Sequence, residues 1–163
     1  MGKMFIIIVI VLLFVHYKPF KRTELLITGY KRIFTVDVEV EDCFVTRERW
    51  ETELKIPFRG TIQSNVFQGE IENGACDIWK LRFGIPYSKC ATYTIKGKDT
   101  RGETCEINIV NEDTGSGWMP RIHTNCSELS YLNNGNCKAL LKQRGLHGPL
   151  VHIYYKPNSY DAL

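Results

Sequence analysis

The sequence lacks the compositional extremes that mark special classes of protein. Its 163 residues contain no internal repeat and no low-complexity run, which argues against a solenoid or a disordered chain. Neither sign of charge is in excess, because residues 23–163 carry 17 basic and 18 acidic groups. A near-neutral body offers no electrostatic footprint for nucleic acid. We therefore expect a single globular domain that does not bind nucleic acid.

Motifs of the common enzyme classes are missing as well. No metalloprotease, nucleophile-elbow, phosphate-binding or dinucleotide-binding pattern occurs. The chain has four histidines, His16, His123, His147 and His152. A catalytic function would need one of the last three to converge with an unpaired cysteine or an acid in a cleft. We expect no enzyme, no metal, no cofactor and no small-molecule substrate.

Long apolar runs are limited to one segment, residues 4–15, which has twelve consecutive apolar side chains. As a helix it spans about 18 Å, whereas the hydrocarbon core of a bilayer is about 30 Å thick. This length is typical of the hydrophobic region of a signal peptide. Extension to Tyr17, with lysines at both ends reaching the headgroups, brings the helix nearer to spanning length.

The residues after this run favour a retained anchor over a cleaved signal. They include a basic cluster, Lys18, Lys21 and Arg22, rather than the small residues of a cleavage site, and the nearest acceptable site lies at residues 27–29. We expect residues 1–22 to form an uncleaved anchor that contacts the membrane through residues 4–17. Signal cleavage is the alternative. The excess of basic residues after the run places the body on the cytoplasmic or nuclear side.

Six cysteines, all beyond the apolar run, argue for the opposite side. They are Cys43, Cys76, Cys90, Cys105, Cys126 and Cys137. None forms a CxxC knuckle, so three disulfides are favoured over a metal site or over free buried thiols. Fifteen connectivities are possible, and the first candidate pair is Cys126 and Cys137, which flank a short turn-rich stretch. Asn125 begins a glycosylation pattern, which we expect to be unused because its middle residue can be crosslinked.

Apolar and polar residues alternate with period two along most of the body, which predicts β-strands. The alternating segments are residues 34–41, 53–59, 79–85, 92–96 and 105–109, and residues 150–155 form an apolar strand. One helix is predicted to begin after Asn136 and to end at Gly145. The expected fold is a compact antiparallel β-sandwich or barrel over residues 23–163 with one short C-terminal helix.

Two aromatic segments stand out within this pattern, residues 79–87 and 115–121. Trp79 and Phe83 fit core packing on one face of a strand. Trp118, Met119 and Arg121 fall in an expected loop, where such side chains can form a contact patch with a partner. The alternative for Trp118 is that it folds back and covers the core.

The layout resembles the small per os infectivity factor of baculoviruses and related nuclear arthropod-specific large DNA viruses. The resemblance rests on the apolar N-terminus, its basic cluster, the six-cysteine β-rich body, and the short blocks at residues 79–90 and 117–121. It implies a virion envelope protein that is sorted through the host inner nuclear membrane by residues 4–22. It also implies a non-catalytic subunit of a multi-protein complex, bound to other envelope proteins, that the virus needs to infect the midgut by the oral route.

A second class of function stays open, namely a secreted, disulfide-stabilised binding module such as a venom, salivary or immune-modulating protein. The N-terminal residue of the mature chain distinguishes the two. A start near Met1 supports the membrane protein, and a start after about residue 20 supports signal cleavage.

Overall fold

The computed structural model describes residues 28–144 and 148–157, so the predicted anchor and its basic cluster lie outside the described residues. The strands are β1 (Lys31–Val40), β2 (Phe44–Glu48), β3 (Glu51–Gln63), β4 (Phe67–Ile71), β5 (Cys76–Arg82), β6 (Ile85–Asp99), β7 (Thr104–Asp113), β8 (Trp118–Thr124), β9 (Asn136–Lys142) and β10 (Leu150–Lys156). A 3-10 helix, Ser127–Asn134, joins β8 to β9. Within the described ranges, no helix has the length and apolar character needed to cross a bilayer.

The antiparallel strands close into a barrel. β1 pairs with β10 on one side and with β3 on the other, so the order β1-β10-β9-β8-β7-β6-β4-β3 returns to β1. Closure gives each of these eight strands a partner along both edges and removes the open edges that would invite aggregation. The predicted mainly β, antiparallel fold is confirmed.

The barrel interior is filled by side chains that alternate inward along each strand. Ile95, Ile107, Ile109 and Ile153 are fully buried, and they belong to one large apolar cluster that includes residues from every barrel strand. Apolar burial contributes roughly 25 cal/mol per Å² of surface removed from water. This cluster therefore supplies most of the stabilising free energy of the domain.

A glycine pair lets one interior ring lie flat against the sheet. Gly69 on β4 is directly opposite Gly97 on β6, and the buried ring of Phe67 covers both. A Cβ at position 97 would lie 2.6 Å from that ring and 2.0 Å from a backbone oxygen, so no larger residue fits there. Two glycines on neighbouring strands thus hold an aromatic ring that packs where their own side chains would be.

The predicted helix after Asn136 is wrong. Residues Asn136–Lys142 form β9, which pairs with β10 over seven residues, and Cys137 and Ala139 point into the barrel core. The local helix-forming tendency of Ala and Leu amounts to a few tenths of a kcal/mol per residue, whereas pairing in the barrel buries these side chains. The helical segment observed comes earlier, as the 3-10 helix at Ser127–Asn134.

Two long strands extend beyond the barrel and form a second, smaller sheet. The first half of β3 pairs with β2 and β5, and the first half of β6 pairs with β5. We call this four-stranded extension, residues 44–57 and 76–92, the flap. Among the described strands its outer strand β2 pairs only with β3, and it is exposed along its full length.

Candidate functional site

The flap ends in two adjacent two-residue turns. Arg49 and Trp50 connect β2 to β3, and Phe83 and Gly84 connect β5 to β6. Phe83 has φ of 52° and Gly84 has φ of 80°, as in the type I′ turns that suit the twist of a hairpin. Glycine and asparagine adopt these angles at little cost, but a phenylalanine there is strained by about 1–3 kcal/mol. The turn therefore keeps an aromatic residue at a position where local energetics disfavour one.

Four apolar side chains are exposed at this end of the flap, and we call them the apolar tip. Their exposed fractions are 68% for Trp50, 70% for Phe83, 70% for Ile85 and 52% for Tyr87. The two turns are joined, because the backbone N–H of Phe83 donates to the carbonyl of Trp50 at 3.0 Å. The Trp50 and Phe83 ring centroids lie 5.6 Å apart. The two hairpins thus present one contiguous apolar knob.

Charged side chains hold the base of the apolar tip. Arg82 donates to Glu51 at 2.7 Å across β5 and β3, and its guanidinium lies 5.3 Å from the centroid of the Tyr87 ring. An open groove of about 650 Å³ runs between the turns and is lined by Glu48, Arg49, Trp50, Glu51, Arg82 and Phe83. The groove walls carry charged side chains, including the Arg82–Glu51 ion pair, and the protruding elements are aromatic, so the site offers apolar contact rather than acid–base chemistry.

A small core beneath the apolar tip keeps the flap in shape. Leu54, Ile56, Trp79 and Leu81 pack together on the inner face, and Trp79 is only 3% exposed. The prediction that Trp79 packs in a core is confirmed. The same prediction for Phe83 is wrong, because the strand ends at Arg82 and the turn directs Phe83 outward.

A polar cluster lies where the flap meets the barrel. The Trp79 indole N–H donates to Asp77 at 2.8 Å, Lys89 lies 4.7 Å from the centroid of the Trp79 ring, and Lys89 pairs with Asp113 at 3.3 Å. Burial raises the pKa of Asp77 to about 6, and the hydrogen bond from Trp79 and the charge of Lys89 oppose that shift. Buried side-chain oxygens of Asp77 and of Asn111, two strands away, have no hydrogen-bond partner among residues 28–144 and 148–157. The flap–barrel junction is therefore a costly polar site within an apolar framework.

The contact patch predicted at Trp118, Met119 and Arg121 lies on β8 and not in a loop. Trp118 is partly buried against the barrel core, whereas Met119 is 39% exposed. Arg121 forms a two-pronged pair with Glu112 at 2.9 and 3.0 Å. The role of this patch in partner binding stays a prediction. Trp118→Ala tests it: lost assembly with unchanged stability would indicate partner contact, and lost stability would indicate packing.

All six cysteines carry free thiols in the structure, so the predicted disulfides stay a prediction. Cys105 and Cys126 are buried and within hydrogen-bonding reach of each other, and burial followed by this neighbour raises the pKa of Cys105 to about 12. The first candidate pair from the sequence, Cys126 with Cys137, is not the one brought together. Cys126 instead lies beside Cys105, because the β7–β8 pairing ends at Ile107 and Thr124 and so brings the start of β7 close to the residues that follow β8.

Among the remaining cysteines, Cys43 and Cys76 are close enough to interact electrostatically. Cys43 packs against the flap core, and its pKa is raised mainly by burial, with Asp42 and Cys76 adding to it. Cys90 lies on β6 opposite Glu112. His123 is exposed on β8, while His152 on β10 contacts the Thr35 hydroxyl at 2.8 Å. In residues 28–144 and 148–157, no group of three or more His, Cys, Asp or Glu side chains could hold a metal ion.

Comparison with solved structures shows that the chain has the fold of small β-barrel-like proteins. A β-barrel-like protein from Acinetobacter baumannii AYE superposes with a TM-score of 0.56 at 12% identity, over 77% of this chain and 94% of the other. A protein of unknown function from Clostridium acetobutylicum gives 0.61 at 14% identity, over 77% and 95%. An enzyme from Penicillium herquei gives 0.59 at 10% identity, over 78% and 93%.

The particular family is not given by these likenesses. No family model matches the sequence, and no curated protein matches it. At 10–14% identity, the solved structures show that the fold is shared and no more.

Proposed function

We propose that this protein is a membrane-anchored, non-catalytic contact subunit of a virion envelope complex that mediates oral infection of the midgut. The sequence resemblance supplies the biological setting, and residues 4–17 supply the anchor. The observation that carries a contact role is the apolar tip, in which four large side chains at one end of the flap are more than half exposed. Exposed apolar patches of this kind mark interaction sites.

The position of the flap supports this role. β1 begins at Lys31 and runs toward the flap, since Val40 at its end pairs with Phe58 and β3 continues from there to the turn at Trp50. The start of β1 and the apolar tip thus lie at opposite ends of the domain. At about 3.3 Å per residue, they are roughly 55 Å apart measured along the strands. A chain tethered through its N-terminus would hold the flap away from its own membrane.

The test is partner capture from intact membranes or virions with the full chain. We expect the chain to stay in the membrane fraction after an alkaline wash, to begin near Met1, and to crosslink to other envelope proteins. A matched chain with Trp50→Ser and Phe83→Asn should keep the anchor and lose crosslinks made by the flap.

The alternative is the secreted binding module. A native chain that is freely soluble and begins after about residue 20 would overturn the proposal and support that alternative. Crosslinks that survive the tip substitutions and disappear with Met119→Gln would move the contact surface to β8.

A further inference from the structure

We infer that the apolar tip binds a lipid bilayer, inserting Trp50 and Phe83 into the interfacial region of a membrane that carries anionic lipids. This inference deepens the proposed function. It rests on that function only for the identity of the membrane that the apolar tip reaches. If the N-terminus is anchored in the envelope, the tip faces an opposing membrane.

The shape of the site favours a bilayer over a protein pocket. The apolar tip is built from two turns that lie side by side with their rings 5.6 Å apart, and the groove between the turns is open to solvent rather than an enclosed pocket. A knob needs a partner that deforms around it or one with a matching cavity, and the headgroup–acyl boundary of a bilayer accepts any small apolar projection. Tryptophan and tyrosine also prefer this boundary, since each combines an apolar ring with a polar group.

The charge distribution favours the same partner. The flap holds six basic residues, Arg47, Arg49, Lys55, Lys80, Arg82 and Lys89, and four acidic ones, Glu48, Glu51, Glu53 and Asp77. The rest of residues 23–163 holds 11 basic and 14 acidic residues. The flap is thus net positive and the rest of the body is net negative. An anionic membrane attracts each basic residue near its surface, so the molecule is oriented with the tip toward that membrane.

The strained turn is the third observation. Phe83 occupies a left-handed position at φ of 52°, where asparagine before Gly84 would form the preferred hairpin turn. In return the Phe83 ring gains the contact with the Trp50 ring and little more, as the side chain stays 70% exposed. Within the domain, Phe83 costs conformational energy and buries little surface. Insertion into a bilayer would bury the ring and so explain why an aromatic residue occupies this position.

The experiment uses the full chain reconstituted in donor vesicles of phosphatidylcholine. Acceptor vesicles contain 7:3 phosphatidylcholine to phosphatidylserine, and their acyl chains carry bromine, which quenches tryptophan in contact with them. The chain has three tryptophans, and the other two, Trp79 and Trp118, are buried and partly buried. Quenching that disappears in Trp50→Phe while vesicle capture persists would therefore report Trp50 itself.

We expect the wild-type chain to capture acceptor vesicles and to be quenched by them. Trp50→Ser with Phe83→Asn should weaken capture about tenfold or more, since each aromatic ring contributes apolar burial. The matched control Val40→Thr, which replaces an apolar side chain that is 43% exposed on the barrel strand β1, should leave capture unchanged. Acceptors without phosphatidylserine should be captured less.

Absence of quenching together with unchanged capture in the double variant would overturn the inference. Self-association of the chain that the same variant abolishes would assign the tip to a second copy instead. Loss of the chain from the donor vesicles is a separate result that counts against the anchor alone. In that case the chain is added directly to brominated vesicles. Stronger quenching of tryptophan fluorescence in the wild type than in Trp50→Phe then supports the lipid contact, and equal quenching contradicts it.

Discussion

The barrel and the flap share two strands but differ in how they use apolar residues. The barrel buries an apolar cluster of more than twenty residues inside a closed sheet, whereas the flap buries four residues and leaves four others exposed at its end. Closure gives every barrel strand two neighbours, while β2 at the edge of the flap pairs with β3 alone in the part of the chain that the structure describes. The barrel core therefore stabilises the fold, whereas the exposed apolar side chains of the flap add little to that stability.

The largest expected effect separates the two cores. Ile107→Ala in the barrel should lower the free energy of unfolding by about 4 kcal/mol, because it leaves a cavity among fully buried neighbours. Leu54→Ala in the flap should cost about 2 kcal/mol, since this core is small and can relax. Urea denaturation measures both values, and hydrogen exchange should increase only in the flap for Leu54→Ala. Equal exchange throughout the molecule would mean that flap and barrel unfold as one unit.

The second effect concerns the crosslink that would lock the barrel end. Oxidation of the folded chain by glutathione disulfide should join Cys105 to Cys126, with two glutathione thiols released. The bond should stabilise the fold by about 3 kcal/mol, as expected for a loop of this length. A non-reducing peptide map identifies the pair, and Cys137→Ser is the matched control that should not alter it. A map that joins Cys126 to Cys137 would contradict the geometry.

The third effect lies at the flap–barrel junction and depends on pH. The pKa of Asp77 is raised from 3.8 to about 6 in the folded chain, so the folded state binds its proton more tightly than the unfolded state does. The resulting stabilisation is complete below about pH 4 and is lost as the pH rises through 6, which costs about 2–3 kcal/mol at pH 7. Asp77→Asn keeps an acceptor for Trp79 and should remove this dependence in thermal melts.

Asp113→Asn serves as the comparison for Asp77→Asn. It removes the carboxylate that pairs with the largely buried ammonium of Lys89, so it should lower stability at pH 7. If both variants changed stability in the same direction, burial of Asp77 would not be the dominant cost.

The smallest effect tests the strained turn. Phe83→Asn should raise the free energy of unfolding by about 1 kcal/mol, because asparagine adopts the left-handed conformation at lower cost and little buried surface is lost. Gly84→Ala, at φ of 80°, should lower it by a similar amount. Chemical denaturation checks both. A loss of stability in Phe83→Asn would show that the ring packs within the flap.

Much of the barrel could be predicted from alternation alone. The patterns at residues 34–41, 92–96 and 105–109 became β1, β6 and β7, since a half-buried strand leaves a period-two signal wherever one face is dry. The alternation does not mark β2, β4, β8 or β9, and the reasons for β2 and β9 are opposite. β2 is exposed on both faces and carries no apolar face to detect, and the local preference of the alanine and leucines in β9 favours a helix.

The candidate site was only half predictable. The segment at residues 79–87 stood out for its aromatic residues, but the prediction treated it as one continuous strand. The signal that could have found the turn is Gly84, since a glycine between two alternating runs of strand residues is typical of a hairpin. Trp50 carried no such signal, as its exposure depends on two hairpin turns that meet only in the folded sheet.

The sequence by itself determined the alternation that makes this an antiparallel β protein and the near-neutral charge of its body, because both depend only on residue type and spacing. The tertiary structure decided which strands close the barrel, that Cys105 faces Cys126, and that Trp50 and Phe83 share one tip. Strand register and the meeting of distant turns are set by packing between segments far apart in the chain, and no local pattern encodes them.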